Sequence, residues 1–436
     1  MSDRKPLCIG LSLATTWLTG NGWRRPDSCV EDTYSAAFYA DIARRAEAAH
    51  LDFLFRPDVL YLDPQVLDRS PGFSSLDPTV LLSAIAPATK RIGLVTTAAT
   101  TFNPPYVVAR QLQSLDWISE GRAGWNIVTA LDGSRNFGDA PMPPSEERYS
   151  KALEFTEVVQ QLWRSYPREA LLLDRAEGKY ADPALIRAID HHGAYFNVQG
   201  PLNLPARGAG RIPLFQAGAS EWGRDFAARV ADAVFAATPD IAAGAELRQD
   251  LRGRATAHGR KPDAVRMLPG LSLYLGRTAS HARDLYEATQ GRTEEAHKLA
   301  YIERMLSIDV RTLAPDQPLT YTMLGEPGVP MRGQTHVDLL RRLVMREQPT
   351  LRQLLQRPEV CSSAHWQIVG TAEDALREIV ARVEAGAADG FIALPGGAAE
   401  SLDLCLSELV PMLAAQGLFR KQYSGETLAD HMGIVP

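Results

Sequence analysis

Apolar runs of strand length alternate with stretches of helical period along nearly the whole chain. The runs at 7–13, 52–56, 91–98, 122–130, 212–217, 233–236, 266–275 and 390–394 are continuously apolar rather than alternating. That is the pattern of a strand covered on both faces, as in a parallel sheet. Helical periods fill the gaps at 33–50, 77–88, 104–119, 145–165, 220–231, 241–258, 279–290, 371–385 and 400–415. Between Glu146 and Trp163, for example, Tyr149, Ala152, Leu153, Val159, Leu162 and Trp163 fall on one face. Eight strands in β-α alternation predict an α/β protein with a closed (β/α)8 TIM barrel rather than a doubly wound sheet, as a single domain over residues 1–436.

Two stretches break the rhythm. Residues 166–210 lie between the fourth helix and the fifth strand, with short strands expected around 194–198. Residues 291–367 lie between the seventh and eighth strands and carry six prolines, from Pro315 to Pro358. Insertions in barrels gather on the catalytic face, so a lid over the substrate is one expectation. A packing or oligomer-forming appendage is the other.

Composition narrows the functional class. With 46 Lys+Arg against 52 Asp+Glu the net charge is −6, which lacks the footprint of a nucleic-acid or membrane-surface binder. Cys8, Cys29, Cys361 and Cys405 are scattered, with no C-x-x-C pair, as suits a reducing compartment. Arg4-Lys5 before an apolar stretch imitates a secretory signal, but Ser12, Thr15 and Thr16 interrupt it and no cleavage site follows. No apolar run reaches the ~20 residues of a membrane span. The expected location is the cytoplasm.

In a TIM barrel chemistry sits at the carboxyl ends of the strands. Those ends read Arg56-Pro57-Asp58, Thr96-Thr97, Asn126-Ile127-Val128-Thr129 and Gln216-Ala217-Gly218-Ala219-Ser220. No lysine ends a strand, against a Schiff-base aldolase, and no H-x-H motif suggests a metal, so none is expected. His191-His192 reads as structural. Hydroxyls and amides dominate, as suits a cofactor that brings its own reactivity. After Ala217, Gly218 permits a tight turn and Ser220 is a good N-cap; the free N–H groups of that helix start form an anion site. The glycines flanking Trp125 imply close approach of backbone or ligand, and Asn126 offers donors and an acceptor to a heteroaromatic edge.

G-R-A-G-W-N-I-V-T at 121–129, R-N-F-G at 135–138, E-R-Y at 147–149, H-G-x-Y-F-N-V-x-G-P-L-N at 192–203 and Q-A-G-A-S-x-x-G at 216–223 together resemble the reduced-flavin-dependent monooxygenases. These are the bacterial-luciferase-like enzymes of the nitrilotriacetate and dibenzothiophene-sulfone monooxygenase type. A-A-D-G-F-I at 387–392 and G-L-F-R-x-x-Y-x-G-x-T-L from Gly417 extend the likeness over nearly the whole chain. The resemblance implies a luciferase-like barrel binding FMN as FMNH2, with Asp58 and Thr97 beside the isoalloxazine and Asn126 next to Thr97 at the edge where oxygen reacts. Thr97 and Asn126 are then the catalytic candidates. Ser145 and Tyr149, one helical turn apart, and Ala219-Ser220 would hold the phosphate. Three positions depart from the family: Ser145 replaces a histidine, the segment 14–27 lacks another, and Ala130 stands where many members have Ser.

The implied chemistry is a two-component monooxygenation. FMNH2 and O2 give a flavin peroxide, at C4a or N5, that oxidises a small organic substrate or cleaves its C–N or C–S bond. With no G-x-G-x-x-G after a strand, FMNH2 must come from a separate NAD(P)H:flavin reductase. A homodimer or homotetramer is expected, without nucleic-acid or membrane partners. The alternatives are a deazaflavin-dependent hydride-transfer enzyme on the same barrel, a lyase with flavin itself as substrate, and a flavin-storage protein.

Overall fold

The computed structural model describes residues 5–138, 141–208, 211–218, 220–291, 295–325, 334–361 and 363–434. The eight apolar runs form eight parallel strands: β1 (Cys8–Ser12), β2 (Phe53–Arg56), β3 (Gly93–Ala99), β4 (Ala123–Val128), β5 (Leu214–Ala217), β6 (Ala233–Ala236), β7 (Arg266–Leu275) and β8 (Gly390–Pro395). They pair in chain order, and β8 returns to β1, so the expected barrel closes. Helices α1 (Ala36–Ala48), α2 (Pro78–Ile85), α3 (Pro105–Ile118), α4 (Ser145–Ser165), α5 (Glu221–Val230) and α6 (Ile241–Ala257) cover it in turn. Their buried stripes, such as Ala152, Phe155, Val159 and Leu162 of α4, form the layer between barrel and helices.

One strand went unforeseen. Trp366–Gly370 pairs in parallel with the end of β7, Leu271 opposite Trp366 and Leu275 opposite Gly370, outside the closed ring. It alternates buried and half-buried positions over five residues, too short a signal to stand out at the edge of a proline-rich insertion. In that insertion α7 (Glu295–Leu306) and α8 (Gln334–Glu347) build a core of their own from Ile302, Leu306, Leu340, Leu343, Val344 and Leu354. Its root meets the loop after β1, where Asn21 N–H donates to Thr289 O at 2.9 Å and Gln290 Nε2 to Thr19 Oγ1 at 3.0 Å.

The 166–210 stretch joins the end of a helix to the start of a strand, so it is rooted on the face opposite the strand tips. It runs along the outside of α3 and α4: Trp117 Nε1 donates to Pro205 O at 2.7 Å, and Glu154 accepts from Phe196 N–H at 2.9 Å. The expected strand near 194–198 is only Asn197–Val198, paired with His191–His192.

The barrel interior is aromatic. Phe53 meets Phe215 edge-on at 4.9 Å between ring centres, and Phe55 lies 5.3 Å from Phe235. The floor is filled by a residue from far along the chain, Leu428, which is fully buried among Cys8, Phe53 and Val95. This explains one of the glycines flanking Trp125. A Cβ on Gly124 would stand 2.8 Å from Leu428 Cδ2 and 3.0 Å from Val95 Cγ2. The close approach read from the sequence is real, but the approaching group is the C-terminal segment and not a ligand. Trp125 itself faces outward against Phe155 and Trp163. The segment is latched by Arg420, which pairs with the fully buried Asp52 and donates to His431 O at 3.0 Å. Asp52 also accepts from Ile9 N–H at 2.7 Å; burial outweighs these partners and raises its pKa to about 6.

Leu428→Ala should therefore cost about 2–5 kcal/mol in chemical denaturation, the range for a buried leucine leaving a cavity. Gly124→Ala should also destabilise, by collision with Leu428. In the double variant the added methyl enters the vacated space, so the two losses should be clearly less than additive. Simple additivity would mean that the two residues do not compete for the same volume.

Candidate active site

Thr97 stands opposite Asn126 in the β3–β4 register, and Asn126 opposite Phe215 in the β4–β5 register. Since Phe215 belongs to the interior cluster, the alternation of a strand turns Thr97 and Asn126 inward as well. Both are buried. Thr97 Oγ1 lies 2.7 Å from the carbonyl oxygen of Arg56 and 2.9 Å from Asn126 Nδ2. A carbonyl can only accept, so the one hydroxyl proton goes to Arg56 O. The Asn126 atom facing Thr97 must then be its NH2 group. Asn126 Oδ1 is left buried without a partner. An orphaned buried acceptor costs about 1–3 kcal/mol, which a ligand N–H can return. Arg56 itself points out of the barrel, donating to Leu13 O and lying over the Tyr39 ring.

Asp58 follows β2 and is half-buried. Burial raises its carboxyl to about 6, and Asp77 pushes in the same direction, against the pull of the Val59 N–H and Arg56. Asp58 thus stands just past the end of β2 as a carboxyl whose ionised form its surroundings disfavour.

The second group of residues surrounds the turn after β5. Gly218 has φ +142°, a conformation that L side chains rarely adopt, and a Cβ there would lie 3.0 Å from Gln216 Nε2 and 3.2 Å from Tyr149 Oη. Ser220 Oγ accepts from Gly223 N–H at 3.2 Å, so it does cap α5 as the sequence predicts. A Cβ on Gly223 would fall 2.8 Å from Tyr149 Oη and 3.1 Å from Ser220 Oγ, which places the two hydroxyls around the same stretch of backbone. Glu221, the acidic residue of this first turn, is drawn off by Arg254 at 2.7 Å. The positive end of α5 thus remains open to an anion. Ala219 lies outside the described residues.

Ser145 begins α4 and is half-buried, one turn before Tyr149. The N-cap position is held by Pro144, and Ser145 makes no capping hydrogen bond.

The sequence motifs contained two further contributors whose roles were not read from them. Gln216 donates through Nε2 to Ala217 O at 2.9 Å and more weakly to Tyr149 Oη at 3.4 Å, while its Oε1 is buried without a partner. Arg148 donates to Thr129 O at 3.0 Å and also to Ala130 O, fixing the loop that leaves β4 beside Tyr149. Position at a strand's carboxyl end could have flagged Gln216; nothing local could have flagged Arg148. His191 pairs with Glu154 at 3.0 Å and His192 with Asn197 at 3.1 Å, in keeping with a structural role. Among the described residues no three His, Cys, Asp or Glu side chains gather as a metal site would require.

The two groups are joined through the sheet, since Asn126 and Ile127 stand opposite Phe215 and Gln216. A flat heterocycle with N–H groups at one end and a phosphate at the other fits this layout. Asn126 Oδ1 is an acceptor at the strand tips, and hydroxyls with a helix start lie beyond β5.

The chain belongs to the luciferase-like monooxygenase family, whose model matches residues 23–389. It is an enzyme of the flavin-dependent monooxygenase type. It is 36% identical to component A of nitrilotriacetate monooxygenase from Aminobacter aminovorans, over 100% of this chain and 98% of that protein. Identity to the dibenzothiophene-sulfone monooxygenase of Rhodococcus erythropolis is 33%, over 94% and 92%. Among solved structures, a riboflavin lyase with modified FMN and riboflavin superposes with a TM-score of 0.80 at 29% identity, covering 98% of this chain and 96% of that one. The cofactor is accordingly a flavin.

Asp58 gives a stability prediction with a definite sign. Its folded pKa of about 6 exceeds the ordinary value, so the native state binds more protons between pH ~4 and ~6 and loses stability as pH rises through that window. Asp58→Asn removes the penalty. The variant should be more stable than the parent at pH 7.5 by on the order of 1 kcal/mol, allowing for screening at a half-exposed site, and equally stable near pH 4. Melting curves at the two pH values decide; a constant difference would mean that the carboxyl is not strained.

Proposed function

We propose that this chain binds FMNH2 and uses O2 to oxygenate a small organic substrate. The net reaction is substrate + O2 + FMNH2 → oxygenated substrate + FMN + H2O, followed where chemistry allows by scission of a C–N or C–S bond. The observation that carries the cofactor assignment is the pair of hydroxyls, Tyr149 and Ser220, set around the Gly218–Gly223 backbone at a helix start. When bound, the reduced flavin supplies the activation of oxygen. The chain supplies position: an acceptor at Asn126 Oδ1, a hydroxyl at Thr97 held by Arg56 O, a carboxyl at Asp58, and Ser145, Tyr149, Ala219 and Ser220 about the phosphate. The 291–367 insertion, rooted beside the loop after β1, is placed to exclude water.

A separate NAD(P)H:flavin reductase is the source of FMNH2, in keeping with a relative named as a component A. Four unpaired cysteines suit the cytoplasm, and among the described residues no helix is long and apolar enough to cross a membrane. A homodimer or homotetramer is supported by the exposed Val80 and Val107 lining a groove between α2 and α3. The likeness to a riboflavin lyase supports one second reading, in which flavin is itself degraded; product analysis without added organic substrate separates the two.

Three measurements test the proposal. FMN should bind more tightly than riboflavin, and Ser220→Asp should abolish that preference by setting a carboxylate against the phosphate; equal affinities in the parent would remove the phosphate site. Thr97→Ala should leave FMNH2 affinity within about threefold and Asn126→Ala should weaken it about fivefold or more by removing the acceptor, while both uncouple product from flavin oxidised. Wild-type coupling in both would remove their catalytic role. Ser145→His should tighten FMN binding by on the order of 1 kcal/mol at pH 6 and by less at pH 8, because a charged donor replaces a neutral one. Titration calorimetry showing no pH dependence would place Ser145 away from the phosphate.

A further inference from the structure

The loops that leave β2, β3 and β4 carry a second kind of information. Asp58 lies in the first of them, and Thr97 and Asn126 stand on the strands just before the other two, on the same face of the barrel. Large apolar side chains on them point to solvent: Leu62 is 51% exposed, Phe73 56%, Leu131 55% and Phe137 50%. The loops form one wall. Phe102 and Phe137 stack with rings 4.5 Å apart and 6° from parallel. Asn136 Nδ2 donates to Leu60 O at 2.8 Å, and the loop after β1 joins through Trp23 Nε1, 2.7 Å from Arg69 O.

The charge on this wall is as telling. Over 13–35, 57–76, 100–104 and 129–138 the four arginines Arg24, Arg25, Arg69 and Arg135 stand against seven carboxylates. The cations closest behind the wall are turned onto backbone carbonyls, Arg148 onto Thr129 O and Lys151 onto Thr101 O at 2.7 Å. A substrate with several carboxylates would lose its hydration and meet a net negative rim. An exposed apolar patch beside a reactive site is, in contrast, what a ligand-binding rim looks like.

We infer that the substrate is a neutral, largely apolar molecule carrying its oxidisable sulfur or nitrogen on an alkyl or aromatic body, and not a polycarboxylate of the kind that names the nitrilotriacetate relative. The inference rests on the monooxygenase reading above. It is tested on the chain loaded with FMNH2 under anaerobic conditions. Equilibrium dialysis compares neutral thioethers and sulfones, from dimethyl sulfide to dibenzothiophene sulfone, with nitrilotriacetate, with and without Mg2+.

At least one neutral probe should bind about tenfold or more tightly than nitrilotriacetate, with little response to salt. Leu131→Ser with Phe137→Ser should weaken that binding about fivefold or more and leave FMNH2 affinity unchanged. Nitrilotriacetate binding as tightly as the best neutral probe overturns the inference, as does indifference to the double variant. So does light scattering in which the parent is an oligomer and the double variant a monomer, since the patch is then a subunit contact. Failure to bind FMNH2 at all appears before any probe is added and fells the monooxygenase reading, and this inference with it.

Discussion

A parallel strand pair has one register that buries its apolar set, and the register of β3 against β4 is the constraint from which the rest of the site follows. With Thr97 opposite Asn126, the hydroxyl can reach the Arg56 carbonyl on one side and the amide on the other. A slip of β4 by one residue would turn Asn126 into the helix layer and bring Trp125 inward, away from a Thr97 left in place. Trp125 is wedged outside against Phe155 and Trp163, so packing between barrel and helices fixes the polar mouth from without. The hydrogen-bond direction then needs no further specification, because a carbonyl at one end of a chain of donors orders all of them.

The two halves of the site use opposite physics. At the strand tips polar groups are buried and partly unsatisfied, and Asp58 is held against its preference for water. Around Gly218 the groups are preformed: Ser220 caps its helix, Gln216 braces Tyr149 while its own Oε1 stays open, and Arg254 draws off Glu221. An anchor gains from rigidity, whereas a reacting end gains from unspent interactions.

The barrel was legible because its strands are covered on both faces and so read as unbroken apolar runs. The turn at 218–223 was legible because a glycine and a capping serine have few other uses after a strand. What escaped was non-local. Trp366–Gly370 is a strand only because β7 outlasts its neighbours and offers an edge. The tightness at Gly124 was visible, but its cause lay some 300 residues away in Leu428. The direction of the Asn126 amide depends on Arg56 O, which no spacing reveals. The 166–210 stretch could have been assigned to the outer face from connection order alone, since it links a helix end to a strand start.

The distance between Gly124 and Leu428 along the chain bears on the order of assembly. The first four strands can form before the late segment arrives, but they do so around a space their own side chains cannot fill, with Phe53 and Val95 facing it. Closure of the ring through β1 and β8 and sealing of its floor by Leu428 both join partners far apart in sequence, the slowest kind of contact to make. A barrel lacking its seal carries an aromatic-lined hole at the end opposite the strand tips, which closes when Leu428 enters it and Arg420 pairs with Asp52.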